Sequence, residues 1–198
     1  MIVNGLETLG RTLGFSFAAG INLYATVAIL GLAARFRWLD GLPEQFRIFD
    51  NDWIIGAALV LYLIEFVADK IPWFDSLWDA VHTAVRPIGG ALIAVASLGH
   101  ASPALQGAAA LAGAFLASSS HLAKSGTRVV ANTSPEPFSN WILSLAEDSF
   151  VVALGILAIK FPVAAAVVVI ISVAIIMVSA RWLFRAVRRR FRRSESPM

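Results

Sequence analysis

The stretch 65–90, EFVADKIPWFDSLWDAVHTAVRPIGG, decides how the rest of the chain is read. It carries Glu65, Asp69, Lys70, Asp75, Asp79, His82 and Arg86, yet it lies between runs apolar enough to enter a bilayer. Charge in or beside a bilayer is costly, so it usually faces a protein interior and marks a pathway or a site. The stretch therefore predicts a polytopic membrane protein with a polar interior.

The composition agrees. The chain has 198 residues, of which 58% are hydrophobic and 15% charged, and its mean hydropathy is +0.75. A soluble domain is nearer a quarter charged. The apolar excess comes in long blocks, as in membrane spans. With no Cys, disulfides, thiolate metal sites and Cys nucleophiles are excluded. The net charge of +3 arises at the C-terminal end, where Arg181, Arg185, Arg188, Arg189, Arg190, Arg192 and Arg193 follow an apolar run. In that position they read as a positive-inside anchor that meets anionic lipid rather than nucleic acid.

Working outward gives six spans. Glu7 departs from a basic leader, and the run 13–34 is longer than a signal-peptide core and holds Asn22, Tyr24 and Thr26. A retained first span is expected there. Loop 35–52 contains the turn residues Gly41 and Pro43. Span two runs over 53–70 and stops at Ile71-Pro72, because the residue before proline avoids the helical region. Span three is expected over 75–98, with Asp75 as N-cap, and with a break at Pro87, Gly89 and Gly90. Span four covers 103–122 and is rich in Ala and Gly, which suits close helix packing. Residues 125–137 read as a partly structured connection in which Ser134-Pro135 starts the next helix. Span five, 135–160, carries Glu147 and Asp148 in its middle. Span six, 163–182, is almost purely Val, Ala and Ile and is expected against lipid.

Six spans put both termini on one side, and the basic tail makes that side cytoplasmic. Arg11, Lys70, Arg86, Lys124, Arg128 and the tail then lie inside, and Arg35, Arg37, Arg47 and Lys160 outside. The organisation is a single transmembrane domain over 1–186 and a basic tail over 187–198. Trp53, Trp73, Trp78 and Trp182 fall near span ends, as in an aromatic belt.

Segments 75–92 and 136–154 align at a constant shift of 61. Asp75 meets Glu136, Asp79 meets Asn140, Thr83 meets Ser144, and Arg86 meets Glu147. Such a pairing suggests an internal repeat of the kind that transporters use, against chance similarity of two helices that both start polar. Arg86 and Glu147 would each lie about 16 Å along their helices. Being of opposite sign, they are expected to pair with each other or through Asp148.

Asp75, Asp79, His82 and Arg86 are spaced four, three and four and form one helical stripe. The stripe can line a cation or substrate path or supply metal ligands. Its structural alternative is capping and ion pairing. Glu65 and Asp69, also four apart, should repel unless one is protonated or a cation such as Lys124 or Lys70 lies between them. Asn22, Tyr24 and Thr26 are expected to hydrogen-bond across helices. The candidate pathway residues are thus Glu65, Asp69, Asp75, Asp79, His82, Arg86, Lys124, Arg128, Asn140, Glu147 and Asp148. No Gly-x-Ser-x-Gly elbow, P-loop or His-Glu-x-x-His motif is present. The acids at 65–79 lack the Asp-Gly and Ala-Arg elements of membrane phosphotransferases. No cofactor is expected.

The segments GINLYATV (20–27), ADKIPWFDSLWDAVHTAVRPIGGAL (68–92) and HLAKSGTRVVANTSPEPFSNWILSLAEDS (121–149) carry a resemblance that extends over most of the chain. Together they resemble a family of small, mostly bacterial membrane proteins catalogued as domain of unknown function 4126. The resemblance implies location and architecture rather than mechanism, and it directs attention to the polar segments instead of the C-terminal arginines.

The expectation is an all-α protein with about six spans in a bacterial inner membrane, two of them polar or broken, around a charged crevice. A small transporter or channel for a polar or ionic solute fits that architecture. The alternatives are a membrane-embedded enzyme of lipid or phosphate chemistry and a non-transporting scaffold. The partners expected are the bilayer, anionic lipid at the tail and, in a homo-oligomer, a second copy of the chain.

Overall fold

The computed structural model describes residues 2–38, 44–133 and 138–194. Among them are seven α-helices, a short 3-10 helix over Glu44–Phe49, and no strand. The helices are α1 (Ile2–Ile21), α2 (Leu23–Arg35), α3 (Asp52–Ala68), α4 (Pro72–Leu98), α5 (Pro103–Asn132), α6 (Phe138–Lys160) and α7 (Pro162–Ser194).

Local chemistry accounts for most of the boundaries. Asn51 starts α3 by accepting from the N–H groups of Trp53 at 2.9 Å and Ile54 at 3.3 Å, which satisfies two donors the helix itself cannot. Ser102 does the same for α5 through Leu105, with Pro103 at the first helical position. Gly99, at φ 65°, ends α4. The turn expected at Gly41 and Pro43 and the helix start expected at Ser134-Pro135 lie outside the described residues.

Three helices are long and apolar enough to cross a membrane: α4, α6 and the Pro162–Ala186 part of α7. That is fewer than the six expected, for identifiable reasons. The first expected span, 13–34, is not one helix. It is divided at Asn22, whose extended backbone (φ −146°, ψ 100°) separates α1 from α2. The second, α3, has only 17 residues. The fourth, α5, continues to Asn132 through the segment read as a connection, and its last half carries His121, Lys124, Ser125 and Arg128.

The break expected in the third span does not occur. Helix α4 runs unbroken through Pro87, and its glycines serve contact instead. A Cβ at Gly90 would collide with Ala117 and with the Gly113 backbone of α5, and one at Gly89 would collide with Leu23. The N-cap of α4 is Ile71 with Pro72 next, so Asp75 sits in the first turn and is not the cap.

Helix α1 is the centre of the bundle and touches α4, α5, α6 and α7. The core around it includes Phe15, Phe17, Ala18, Leu30, Phe46, Ile93, Leu154 and Val169. The most extensive interface is between α4 and α5. Helix α7 shows Val163, Val167, Ile170, Ile171, Ile175 and Val178 on its exposed side, the composition expected of a face turned to lipid.

Candidate functional site

The interior of the bundle is charged. Glu65, Asp69, Asp75, Asp79, His82, Arg86, Lys124, Arg128, Asn140 and Asp148 are all buried, and Glu147 is nearly so, with 14% of its side chain exposed. The sequence-derived candidates therefore share one interior, drawn from α3, α4, α5 and α6.

Helices α4 and α5 bring two polar stripes together. Asp75, Asp79, His82 and Arg86 all face inward from α4, as their spacing requires. On α5 the residues His121, Ser125, Arg128 and Asn132 follow the same four, three, four spacing. The two stripes meet in antiparallel order. Asn132 Nδ2 donates to Asp75 Oδ2 at 2.8 Å, Ser125 Oγ donates to Asp79 Oδ2 at 2.9 Å, and Arg86 Nη1 donates to His121 Nδ1 at 2.7 Å. His121, Ser125 and Asn132 were not among the candidates. Their spacing carries the signal, but only once 125–132 is recognised as helix.

Three cations hold the centre. Arg86 Nη2 donates to Glu65 Oε1 at 2.7 Å and lies 3.4 Å from Asp79 through Nη1. Lys124 Nζ sits among Glu65 Oε1 at 3.2 Å, Asp69 Oδ2 at 3.0 Å and Glu147 Oε2 at 3.6 Å. Arg128 forks onto Glu147 through Nε and Nη2, and Nη2 also reaches Asp69 Oδ2 at 3.0 Å. The like charges Glu65 and Asp69 are thus bridged by Lys124. Lys70 lies instead 3.0 Å above the Phe66 ring and donates to the Phe66 carbonyl and to Ser144.

The direct Arg86–Glu147 pair expected from the sequence does not form. Each finds a nearer partner, Glu65 for Arg86 and Arg128 for Glu147, and the two are linked through Glu65 and Lys124, which contacts both carboxylates. Equal depth along two helices does not bring two side chains together unless those helix faces also meet. Of the segments paired at a shift of 61, Asp79, Arg86, Asn140 and Ser144 are buried and Thr83 is not, while Glu136 lies outside the described residues.

The interruption at Asn22 joins this network from the other side. Breaking a helix leaves carbonyls without their usual donors. The Gly20 carbonyl accepts from Arg86 Nη1 at 3.2 Å, and the Ile21 carbonyl accepts from Lys124 Nζ at 3.3 Å. Asn22 Oδ1 accepts from the Ala25 N–H at 2.9 Å, capping α2, while its Nδ2 donates to Asp148 Oδ1 at 3.0 Å. Gly20 is required by closeness, since a Cβ there would meet Ser120 Oγ and the Ala117 carbonyl of α5. Of the three polar residues in this region, Asn22 and Tyr24 bond across helices, whereas Thr26 bonds back to the Asn22 carbonyl.

The two buried histidines take defined tautomers in their neutral forms. Arginine only donates, so His121 Nδ1 accepts and Nε2 carries the proton toward Thr83 Oγ1 at 3.1 Å. A carbonyl only accepts, so His82 Nδ1 donates to Trp78 at 2.7 Å and Nε2 accepts from Tyr24 Oη at 2.9 Å.

The acids outnumber the cations. Glu65, Asp69 and Glu147 make the closest ion pairs with Arg86, Lys124 and Arg128, while Asp79 and Asp75 meet Arg86 and Arg128 at 3.4 and 3.9 Å and Asp148 is held by Asn22. Asp75 Oδ1, Asp79 Oδ1 and Asp148 Oδ2 are buried and accept no hydrogen bond among the described residues. Asp75 and Asp79 line a cavity of about 190 Å³ between α4 and α5, with Ser76, Thr83, Ser125 and Arg128. Larger hollows lie outside the network along α3, among Val60, Leu63, Ile64, Val67 and Phe74, and are almost wholly apolar. Among the described residues no group of three or more His, Cys, Asp or Glu side chains is arranged to hold a metal ion.

The family described as domain of unknown function (DUF4126) matches residues 9–182, a region that contains the broken helix, both stripes and the three cations. The chain belongs to that family. No curated protein and no solved structure matches it. In this DUF4126 chain the matched region closes before the last arginines of α7, so the charged interior, and not the basic end, lies within the family's extent.

Proposed function

We propose that this DUF4126 protein is a small multi-pass membrane transporter or channel that moves a polar or ionic solute through its charged interior. The observation that carries the reading is the interruption at Asn22. There the freed carbonyls of Gly20 and Ile21 face Arg86 and Lys124 in the middle of a buried ionic network. Unwound backbone inside a membrane is tolerated only where it is buried in protein or lines a cavity, and transporters use such broken helices at their binding sites. In this reading α4, α6 and α7 cross the membrane as uniform spans. The α1–α2 pair, α3 and α5 cross with their polar faces turned inward.

The exposed Arg181, Arg185 and Arg188 at the end of α7 then lie at the cytoplasmic face of the plasma membrane, against anionic headgroups. A scaffold is the second reading. It is favoured by the close matching of Glu65, Asp69 and Glu147 to three cations, which suffices to hold helices together. The lipid or phosphate enzyme has only the acids in its favour.

Flux separates the two readings. Purified protein in liposomes should release or accumulate small polar and ionic solutes faster than protein-free liposomes. Arg86→Ala should abolish that flux while remaining folded by circular dichroism. A folded, correctly inserted protein that moves nothing across a panel of monovalent cations, anions and zwitterions would leave the scaffold.

A further inference from the structure

One interior acid stands apart from the ion pairs. Glu65, Asp69, Asp75, Asp79 and Glu147 each have a lysine or arginine nitrogen within 3.9 Å. Asp148, in the middle of α6 and 9% exposed, has none among the described residues. Its Oδ1 accepts from Asn22 Nδ2 at 3.0 Å, while its Oδ2 is buried and accepts no hydrogen bond of ordinary geometry. The Tyr62 hydroxyl of α3 stands beside the carboxyl. The charged groups that act on Asp148 are Asp69 and Glu65 of α3 and Lys124 of α5, with Lys70 at the end of α3. Both lysines are engaged elsewhere, Lys124 by Glu65, Asp69 and Glu147, and Lys70 by Ser144 and the Phe66 carbonyl. The α1–α2 junction brings only the neutral Asn22, and α7 carries no charged residue over 162–180. An ionised carboxylate buried without a cation neutralises by taking a proton, and such acids inside membrane proteins serve as proton relays.

We infer that Asp148 is a proton-binding site, at which Oδ2 takes a proton from water on one side of the membrane and returns it to water on the other. Only an O–H bond forms and breaks: hydronium gives the proton, and water carries it away as hydronium. In the protonated form Oδ2 donates to the Tyr62 hydroxyl while Oδ1 still accepts from Asn22, so both oxygens have partners. Ser144 lies one turn before Asp148 on the buried face of α6 and accepts from the half-buried Lys70 at 3.3 Å. The proton enters along that polar line. The site is also wired to the helix interruption, because the amide that serves Asp148 caps α2 through its other end. A carboxylate holds that amide more tightly than a neutral acid does. Loss and uptake of the proton therefore tighten and loosen the junction whose carbonyls meet Arg86 and Lys124. The inference rests on the transport reading and names what drives it: the proton is the coupling ion.

The test reads the proton directly, apart from flux. Infrared difference spectra of the purified protein in lipid are recorded between mildly acidic and mildly alkaline pH. The carbonyl stretch of a protonated carboxylic acid should appear on the acidic side, vanish in Asp148→Asn and return at a shifted frequency in Asp148→Glu. Tyr62→Phe, which removes the hydroxyl that the protonated acid meets, should keep the band and shift it, a change that a purely structural role would not produce. Asp148→Asn copies the size and neutrality of the protonated form and is expected to fold. Should it not, the band shifts in Asp148→Glu and Tyr62→Phe decide in its place. In liposomes, solute movement by the wild type should respond to a pH gradient, and Asp148→Asn should lose that response. A folded wild-type protein without the band overturns the site, as does a band that persists unchanged in Asp148→Asn. The Asp148 band in a protein that moves nothing would remove the transport reading and leave the site, whereas flux that ignores the pH gradient in a protein without the band would remove the site alone.

Discussion

Arg86 Nη2 donates to Glu65 Oε1 across 2.7 Å, and neither side chain has any exposed surface. The pair ties α4 to α3, and through the second nitrogen of Arg86 to the Gly20 carbonyl at the end of α1. With Nη1 also on His121 of α5, one guanidinium thus organises four helices. Breaking a buried pair from one side is costly because the remaining charge has no solvent to return to.

That relationship makes the first prediction. Arg86→Ala or Glu65→Ala should each cost about 3–5 kcal/mol of stability. The double change to Ala should recover part of the loss, a coupling that a double-mutant cycle reads from unfolding in detergent. Arg86 and Glu147, which share no bond, should show much weaker coupling. Strong coupling between Arg86 and Glu147, with none between Arg86 and Glu65, would contradict the arrangement.

Lys124 provides the second. Its ammonium lies among Glu65, Asp69, Glu147 and the Ile21 carbonyl. Lys124→Ala should destabilise by about 3–5 kcal/mol, since it leaves carboxylates facing one another. The space vacated is the size of a small amine, so methylammonium at high concentration should raise the melting temperature of Lys124→Ala more than that of the wild type. N-methyl-D-glucamine, too large to enter, serves as the control.

The third concerns the helix interruption. Asn22 caps α2 with one end of its amide and serves Asp148 with the other. Asn22→Ala loses both, about 1 kcal/mol for the cap and a further 1–3 kcal/mol or so for a buried acceptor left without a donor. Asn22→Asp keeps the cap but sets a second carboxylate against Asp148, so it should be worse than Asn22→Ala. Thermal unfolding ranks the variants, and the reverse order would show that the cap dominates.

The fourth tests membrane orientation. The chain has no Cys, so single cysteines report without background. Arg47 and Arg188 are both exposed. In intact cells Arg47→Cys should react with an impermeant thiol reagent, and Arg188→Cys only after the membrane is opened. Equal labelling of both from one side would end the proposed topology.

The α4 stripe was legible because a helix repeats every 3.6 residues, so spacings of four, three and four must share a face whatever lies opposite. For Glu65 and Asp69, two like charges one turn apart, the sequence left protonation or a bridging cation open, and the structure shows the cation, Lys124. The extent of α5 was not, because SGTRVVAN over 125–132 contains no helix-period apolar pattern and is held as helix by what it meets on α4. The break was placed in the wrong helix. Pro87, Gly89 and Gly90 are the usual signals of interruption, yet the glycines let α5 and Leu23 approach. Asn22 carries no such signal, and its bend persists because Arg86, Lys124 and Asp148 satisfy the groups it exposes.

By itself the sequence determined that this protein is helical, that its apolar runs are long enough for membrane spans, and that its charges gather on inward faces. These follow from composition and from the period of a helix, both local properties. Only the tertiary structure decided which charge meets which. Arg86 chose Glu65 over Glu147, Lys124 came between three acids, and Asp79 and Asp75 share Arg86 and Arg128 with other carboxylates. Partner choice depends on the rotation and register of one helix against another, and those are fixed by close contacts such as Gly90 on Gly113, which no spacing along the chain encodes.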